Sequence, residues 1–158
     1  MSVPRTDPVC RVCETDADRH AAMRIRFAVF VDEQRVSAEL EPDEYDAVAL
    51  HLLALDPRTG EAVGTARVVD KGDGVAKIGR VAVLAPYRGI GAGRALMEFA
   101  LERARRAGLT LAVLDAQVPV IPFYERLGFV AEGPVFDDAG IPHRRMTRPL
   151  LPIAAGAG

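Results

Sequence analysis

The segment Gly79-Arg80-Val81-Ala82-Val83-Leu84-Ala85-Pro86-Tyr87-Arg88-Gly89-Ile90-Gly91-Ala92-Gly93 reads as a strand that turns through Ala85-Pro86-Tyr87 into a glycine-rich loop, which then opens a long helix. Glycines let the backbone approach a ligand with no Cβ in the way, and the unpaired N–H groups of a helix's first turn point outward at the positive end of its dipole. Such a junction is an anion site, and a diphosphate suits its geometry. A Walker loop would need Gly-Lys followed by Ser or Thr, but Arg94 and Ala95 follow Gly93. A dinucleotide fingerprint starting at Gly89 would want glycine or alanine where Arg94 stands, and it should open the first parallel βαβ unit. The elements that precede this loop are of a different kind.

Working outward, Val48 to Leu55 and Ala62 to Val69 read as a hairpin around the turn Asp56-Pro57-Arg58-Thr59-Gly60. A second turn, Lys71-Gly72-Asp73-Gly74, leads into the strand Val75 to Leu84, which completes an antiparallel meander. After the loop, Gly91 to Ala107 carries Leu96, Phe99, Ala100 and Ala104 on one helical face, with Arg94, Glu98, Glu102 and Arg106 on the other. Gly108 stops that helix, and the unbroken apolar run Leu109 to Leu114 is expected to be a parallel central strand covered on both faces. A short helix over Ile121 to Leu127 and a hairpin from Phe129 through His143 to Leu150 close the sheet. Toward the N-terminus, Val9 to Cys13 reads as a first strand and Ala17 to Phe30 as a helix capped at Thr15-Asp16. Asp32 to Asp46, with seven acidic residues and Pro42, reads as a loop holding at most a short helix. The expected fold is therefore α/β with a mixed sheet, an antiparallel meander followed by a parallel central pair, flanked by about four helices.

A chain of 158 residues, 49% apolar, suffices for one core, so a single domain over 1–158 is expected, with its core at about 9–150 and a flexible tail at 151–158. The formal charge of −2 gives no long-range field for nucleic acid or anionic lipid. No stretch approaches the roughly 20 apolar residues of a membrane span, and the first nine residues lack a signal peptide's apolar run, so a soluble, cytoplasmic protein is expected. Cys10 and Cys13 form a lone CxxC without the further ligands that structural zinc requires, and they read as ordinary strand cysteines. No metal is expected.

With these residues in view, the sequence resembles the GNAT superfamily of N-acetyltransferases, whose pyrophosphate loop reads Gln/Arg-x-x-Gly-x-Gly/Ala. Arg88, Gly91 and Gly93 fit that pattern. Downstream, Ile121-Pro122-Phe123-Tyr124-Glu125-Arg126-Leu127-Gly128-Phe129 looks like the motif that closes the acetyl-CoA site. Val29-Phe30-Val31-Asp32-Glu33-Gln34 and Gly140-Ile141-Pro142-His143 are similar to the ElaA/YjcF-like branch, and the resemblance runs from about Arg19 to Leu150.

The resemblance implies acetyl-CoA as donor, held by Arg88, Gly89, Ile90, Gly91, Ala92, Gly93 and Arg94 at its pyrophosphate. It also implies that Val81, Ala82 and Val83 lie on a strand that splays from its parallel neighbour, exposing backbone to the pantetheine arm and an N–H near Val83 to the thioester oxygen. Tyr124 matches the tyrosine that protonates the departing thiolate, and Gln117 stands where many relatives carry an asparagine that touches the cofactor arm. Where some relatives place a glutamate base, Lys77-Ile78 stands here, so no base follows from the family. Chemistry alone leaves Glu33, His51, Asp115 and His143 as candidates near the acceptor, because an ammonium must lose its proton before it can attack.

The expected reaction is direct attack of a primary amine on acetyl-CoA in a ternary complex, since neither cysteine lies near the motifs to act as a nucleophile. The acidic residues Glu39, Glu41, Asp43, Glu44 and Asp46 suggest a cationic acceptor such as a polyamine, an aminated metabolite, a lysine side chain or an N-terminal amine. A non-catalytic acyl-CoA-binding regulatory module is the alternative. Pairing into a homodimer through exposed strand edges is also expected.

Overall fold

The computed structural model describes residues 8–38 and 43–151. Seven strands form one sheet: β1 (Val9–Val12), β2 (Leu50–Leu55), β3 (Ala62–Asp70), β4 (Val75–Val83), β5 (Leu111–Gln117), β6 (Val130–Asp138) and β7 (Ile141–Pro149). Their order across the sheet is β1-β2-β3-β4-β5-β7-β6, and every neighbouring pair is antiparallel except β4 with β5. The α-helices are α1 (Asp16–Arg26), α2 (Ala92–Arg106) and α3 (Ile121–Arg126). Of the four or so helices expected, three are therefore α-helical, and a single 3₁₀ turn at Glu44–Ala47 takes the fourth place. The strand expected from Val48 begins at Leu50, because Val48 closes that turn and is exposed. The tail expected at 151–158 lies almost wholly outside the described residues.

The apolar run 52–55 of β2 follows from helices on both of its faces. Leu52 and Ala54 pack with Leu96, Met97 and Ala100 of α2, while Leu53, on the opposite face, packs with Ala22 and Ile25 of α1. Each such leucine contributes roughly 1.5–3 kcal/mol by leaving water. Thr15 caps α1, its hydroxyl accepting from the Asp18 N–H at 3.1 Å. Beyond Arg26 the helix continues as a π-helical segment, Phe27–Glu33, which widens the turn and carries Phe30 and Glu33 over the open end of the sheet.

Gly64 sits where α2 presses closest on β3. A Cβ there would stand 2.9 Å from Leu96 Cδ1 and 3.3 Å from the Ala82 carbonyl oxygen, and Leu96 is fully buried with no room to retreat. Gly64→Ala is expected to cost about 1–3 kcal/mol by overpacking. Thermal denaturation checks this, and an unchanged melting temperature would contradict it.

The sheet opens at its centre. β4 and β5 are paired only at Val75–Leu111, Ala76–Ala112 and Lys77–Val113, although both strands run on. Past Lys77, β4 stays with β3 and β5 stays with β7 through Gln117–His143. A bulge drives the separation: three residues of β4 from Gly79 to Ala82 advance against two of β3 from Arg67 to Thr65, and Arg80 takes φ = 51°. A side chain with a Cβ holds that left-handed backbone at a cost of order 1–3 kcal/mol. The splay that the family resemblance implied is thus present.

Candidate active site

A cavity of about 680 Å³ fills the wedge between β4 and β5. Val81, Ala82 and Val83 form its β4 wall, Asp115 and Gln117 its β5 wall, and Tyr124 and His143 face it from α3 and β7. Arg88 and Gly93 bring the glycine loop to its edge. Gly91 caps α2 with φ = 91° and supplies no side-chain bond to the first turn, so the leading N–H groups of α2 are left without a capping side chain. Gly89, at φ = 80°, has open space where a Cβ would be. Ile90 lies within this loop, and buried Ala92 begins the helix. The donor set therefore fits a diphosphate at the helix start, with an extended arm along β4.

Arg88 bridges the loop to the π-helical segment. Its Nε donates to the Val83 carbonyl oxygen at 2.9 Å, and its Nη2 reaches Glu33 at 2.8 Å. The structure thus pairs a residue expected at the cofactor with one expected near the acceptor. Arg94 instead lies on the exposed face of α2, ion-paired with Glu98 at 2.9 Å. Gln117 exchanges amide bonds with Gln34, donating at 2.8 Å and accepting at 3.4 Å, which ties the end of β5 to the π-helical segment.

Tyr124 packs against Phe123 in a tilted pair, 56° between planes and 5.0 Å between ring centroids, and meets Phe129 edge-on at 6.1 Å. Burial among these rings pushes its phenol up to about 12. Cys10 and Cys13 lie away from the cavity, and burial pushes each thiol up to about 11, which makes them poor nucleophiles.

The four acceptor-side candidates separate clearly. His51 does not line the cavity; its Nε2 donates to the Asp46 carbonyl oxygen at 2.8 Å, a structural bond. Asp115 is half-buried, which alone would raise its carboxyl, but Arg145 at 3.1 Å and Lys77 at 3.3 Å outweigh burial and hold it low. Such a carboxylate is a poor base. Glu33 is occupied by Arg88, whereas His143 faces the cavity with Nδ1 bonded to the Ile141 carbonyl oxygen at 2.7 Å.

The acidic stretch is also altered by its partners. Asp43 and Asp46 bind Arg67 at 2.6 and 2.8 Å, Asp46 binds the fully buried Arg26 at 2.7 Å, and Asp43 reaches Arg80 at 3.3 Å. These two carboxylates are therefore spent within an arginine network and are not available to gather a cationic amine; Glu39 and Glu41 lie outside the described residues. Arg67 of β3 and Lys71, just past its end, also line the cavity; the signal available in the sequence was Arg67 standing as a lone charge within the apolar run of β3. No group of three or more metal-ligating side chains occurs among the described residues, and none of their helices is long and apolar enough to cross a membrane.

A wedge-opened mixed sheet with a glycine loop at its mouth is the architecture of an acyl-CoA-dependent acyltransferase. Residues 14–129 match the Acetyltransferase (GNAT) family, and the chain belongs to it. It is 35% identical over 128 residues to the uncharacterized N-acetyltransferase YjcF of Bacillus subtilis, covering 80% of this chain and 89% of that one. Among solved structures it is similar to an acyl-CoA N-acyltransferase from Pseudomonas aeruginosa, with TM-score 0.78 and 36% identity over 90% of this chain and 98% of that one. Escherichia coli ElaA superposes with TM-score 0.79 at 28% identity, covering 89% and 99%. The chain is an acyltransferase enzyme, of a family that uses acyl-CoA donors and amine acceptors.

Proposed function

We propose that this enzyme transfers an acetyl group from acetyl-CoA to a primary amine by direct attack in a ternary complex. The observation that carries this reading is the continuity of one cavity from the glycine loop, along the unpaired stretch of β4, to the Tyr124 hydroxyl. The uncapped start of α2 and Arg88 hold the diphosphate. Backbone groups of Val81 to Val83 orient the pantetheine arm, and the N–H near Val83 polarises the thioester carbonyl. Tyr124 donates its proton as the thiolate departs. A covalent acyl-enzyme is not used, because no thiol borders the cavity.

Thiol release from acetyl-CoA, followed with a panel of polyamines, aminated metabolites, lysine peptides and N-terminal amines, tests this reading. Amine-dependent release is expected, together with a rise in melting temperature on adding acetyl-CoA. Arg88→Ala is expected to weaken acetyl-CoA binding about 10- to 100-fold, the worth of a charge-assisted hydrogen bond. A parent protein that shows neither amine-dependent release nor stabilisation by acetyl-CoA would sink the proposal.

A further inference from the structure

We propose that His143 takes the proton from the acceptor amine, an inference that rests on the acetyl-transfer reading above. His143 stands on β7 opposite Gln117, at the last rung before the β5–β7 ladder ends, and shares the cavity with Tyr124. Its Nδ1 lies 2.7 Å from the Ile141 carbonyl oxygen, which can only accept. The proton of the neutral ring therefore sits on Nδ1, and the lone pair on Nε2. Phe136 stacks on the ring at 6.0 Å and 23°, fixing its plane, and none of the described residues hydrogen-bonds Nε2.

The competing bases of the cavity are engaged elsewhere. Glu33 binds Arg88, Asp43 binds Arg67 and Arg80, and Asp115 lies between Lys77 and Arg145. Asp138, at the end of β6, also borders the cavity, but a carboxylate is ordinarily a base roughly two pK units weaker than imidazole. The charged groups that share the cavity with His143 are Asp138 on β6, Asp115 on β5, Lys77 and Arg80 on β4, Arg67 and Lys71 at β3, Asp43, and the Glu33–Arg88 pair, while Arg145, two residues along β7, binds Asp115.

The step balances as follows. Nε2 of His143 accepts one proton from the ammonium and passes it to water at the cavity mouth. The freed nitrogen lone pair forms the C–N bond to the thioester carbon, giving an adduct whose nitrogen carries two protons; one of these leaves through Nε2 by the same route. Collapse breaks the C–S bond, and the thiolate takes the Tyr124 proton, which water restores. The net products are the amide, the free thiol and one proton.

The test is the pH profile of kcat/KM for the parent, His143→Gln and His143→Ala, with Tyr124→Phe as comparison. The parent should show an acid limb, and Tyr124→Phe should retain it. His143→Gln should lose about 10²- to 10⁴-fold and show no such limb, and added imidazole should partly restore His143→Ala. Parent-like rates with the limb intact, or folded variants that imidazole does not rescue, would overturn the assignment. Should both variants fail to fold, the imidazole titration of His143 followed by NMR in the parent decides: agreement with the acid limb supports the role and disagreement overturns it. A parent that turns over no amine at all overturns the acetyl-transfer reading, and this inference with it, whereas parent turnover that ignores His143 overturns this inference alone.

Discussion

Tyr124→Phe is expected to lower kcat by about 10²- to 10⁴-fold while leaving KM for acetyl-CoA within a few-fold and the fold intact. The ring of Tyr124 packs against Phe123 and Phe129 while the residue borders the cavity, and no described residue hydrogen-bonds its hydroxyl, so removing that hydroxyl orphans no protein partner. Deleting a hydroxyl that pairs with no protein group is close to neutral for stability. The melting temperature should therefore hold while turnover collapses. That divergence separates a proton donor from a packing residue, since a packing role would move stability first. Steady-state kinetics beside calorimetry reads both, and an undiminished kcat would remove Tyr124 from the mechanism.

The second large effect concerns stability. Asp46→Asn should destabilise the protein by about 3–5 kcal/mol, because it removes the carboxylate that ion-pairs both the buried guanidinium of Arg26 and that of Arg67. For a chain of this length that corresponds to a fall in melting temperature on the order of 10 °C. Burial alone would raise the Asp46 carboxyl, but hydrogen bonds from Arg26, from the Asp43 N–H and from Arg67 hold it well below the usual carboxylate range. A carboxyl depressed in the folded state stabilises at pH values above its unfolded pKa of about 4, and that stabilisation drains away as pH falls below it. Parent and variant should thus differ fully near pH 7, with the gap shrinking steadily as pH falls below about 4 and closing only once pH drops below the depressed folded-state value, where protonated Asp46 resembles the amide. Equal melting temperatures at neutral pH would refute the account.

Most of the sheet was legible because its strands carry local marks: apolar runs punctuated by Asp56-Pro57, Gly72-Asp73-Gly74 and Gly108. The glycine loop and Tyr124 were legible for the same reason, since each is a contiguous motif. What escaped depends on residues distant in sequence. The acidic stretch looked like a solvated loop because the arginines that neutralise it, Arg26, Arg67 and Arg80, come from α1, β3 and β4. The π-helical turn after Arg26 was read as ordinary helix, since one extra residue per turn barely shifts the apolar spacing of Ile25, Val29 and Phe30. The Arg80 bulge had no signal beyond Gly79, because the strained residue is not itself a glycine. Among the acceptor-side candidates, geometry rather than residue type made the selection: His51 and His143 are both strand histidines, and only the second faces the wedge.

The three-rung seam between β4 and β5 divides the sheet into two leaves, one carrying β1 to β4 and the other β5 to β7. Paired strands resist shear through every rung of their ladder, and only three rungs join these two leaves directly. Backbone polar groups past Lys77 lack the neighbouring strand that would ordinarily satisfy them from that side. Whatever lodges between the leaves inherits those vacancies as binding groups and, by touching both edges, splices the sheet.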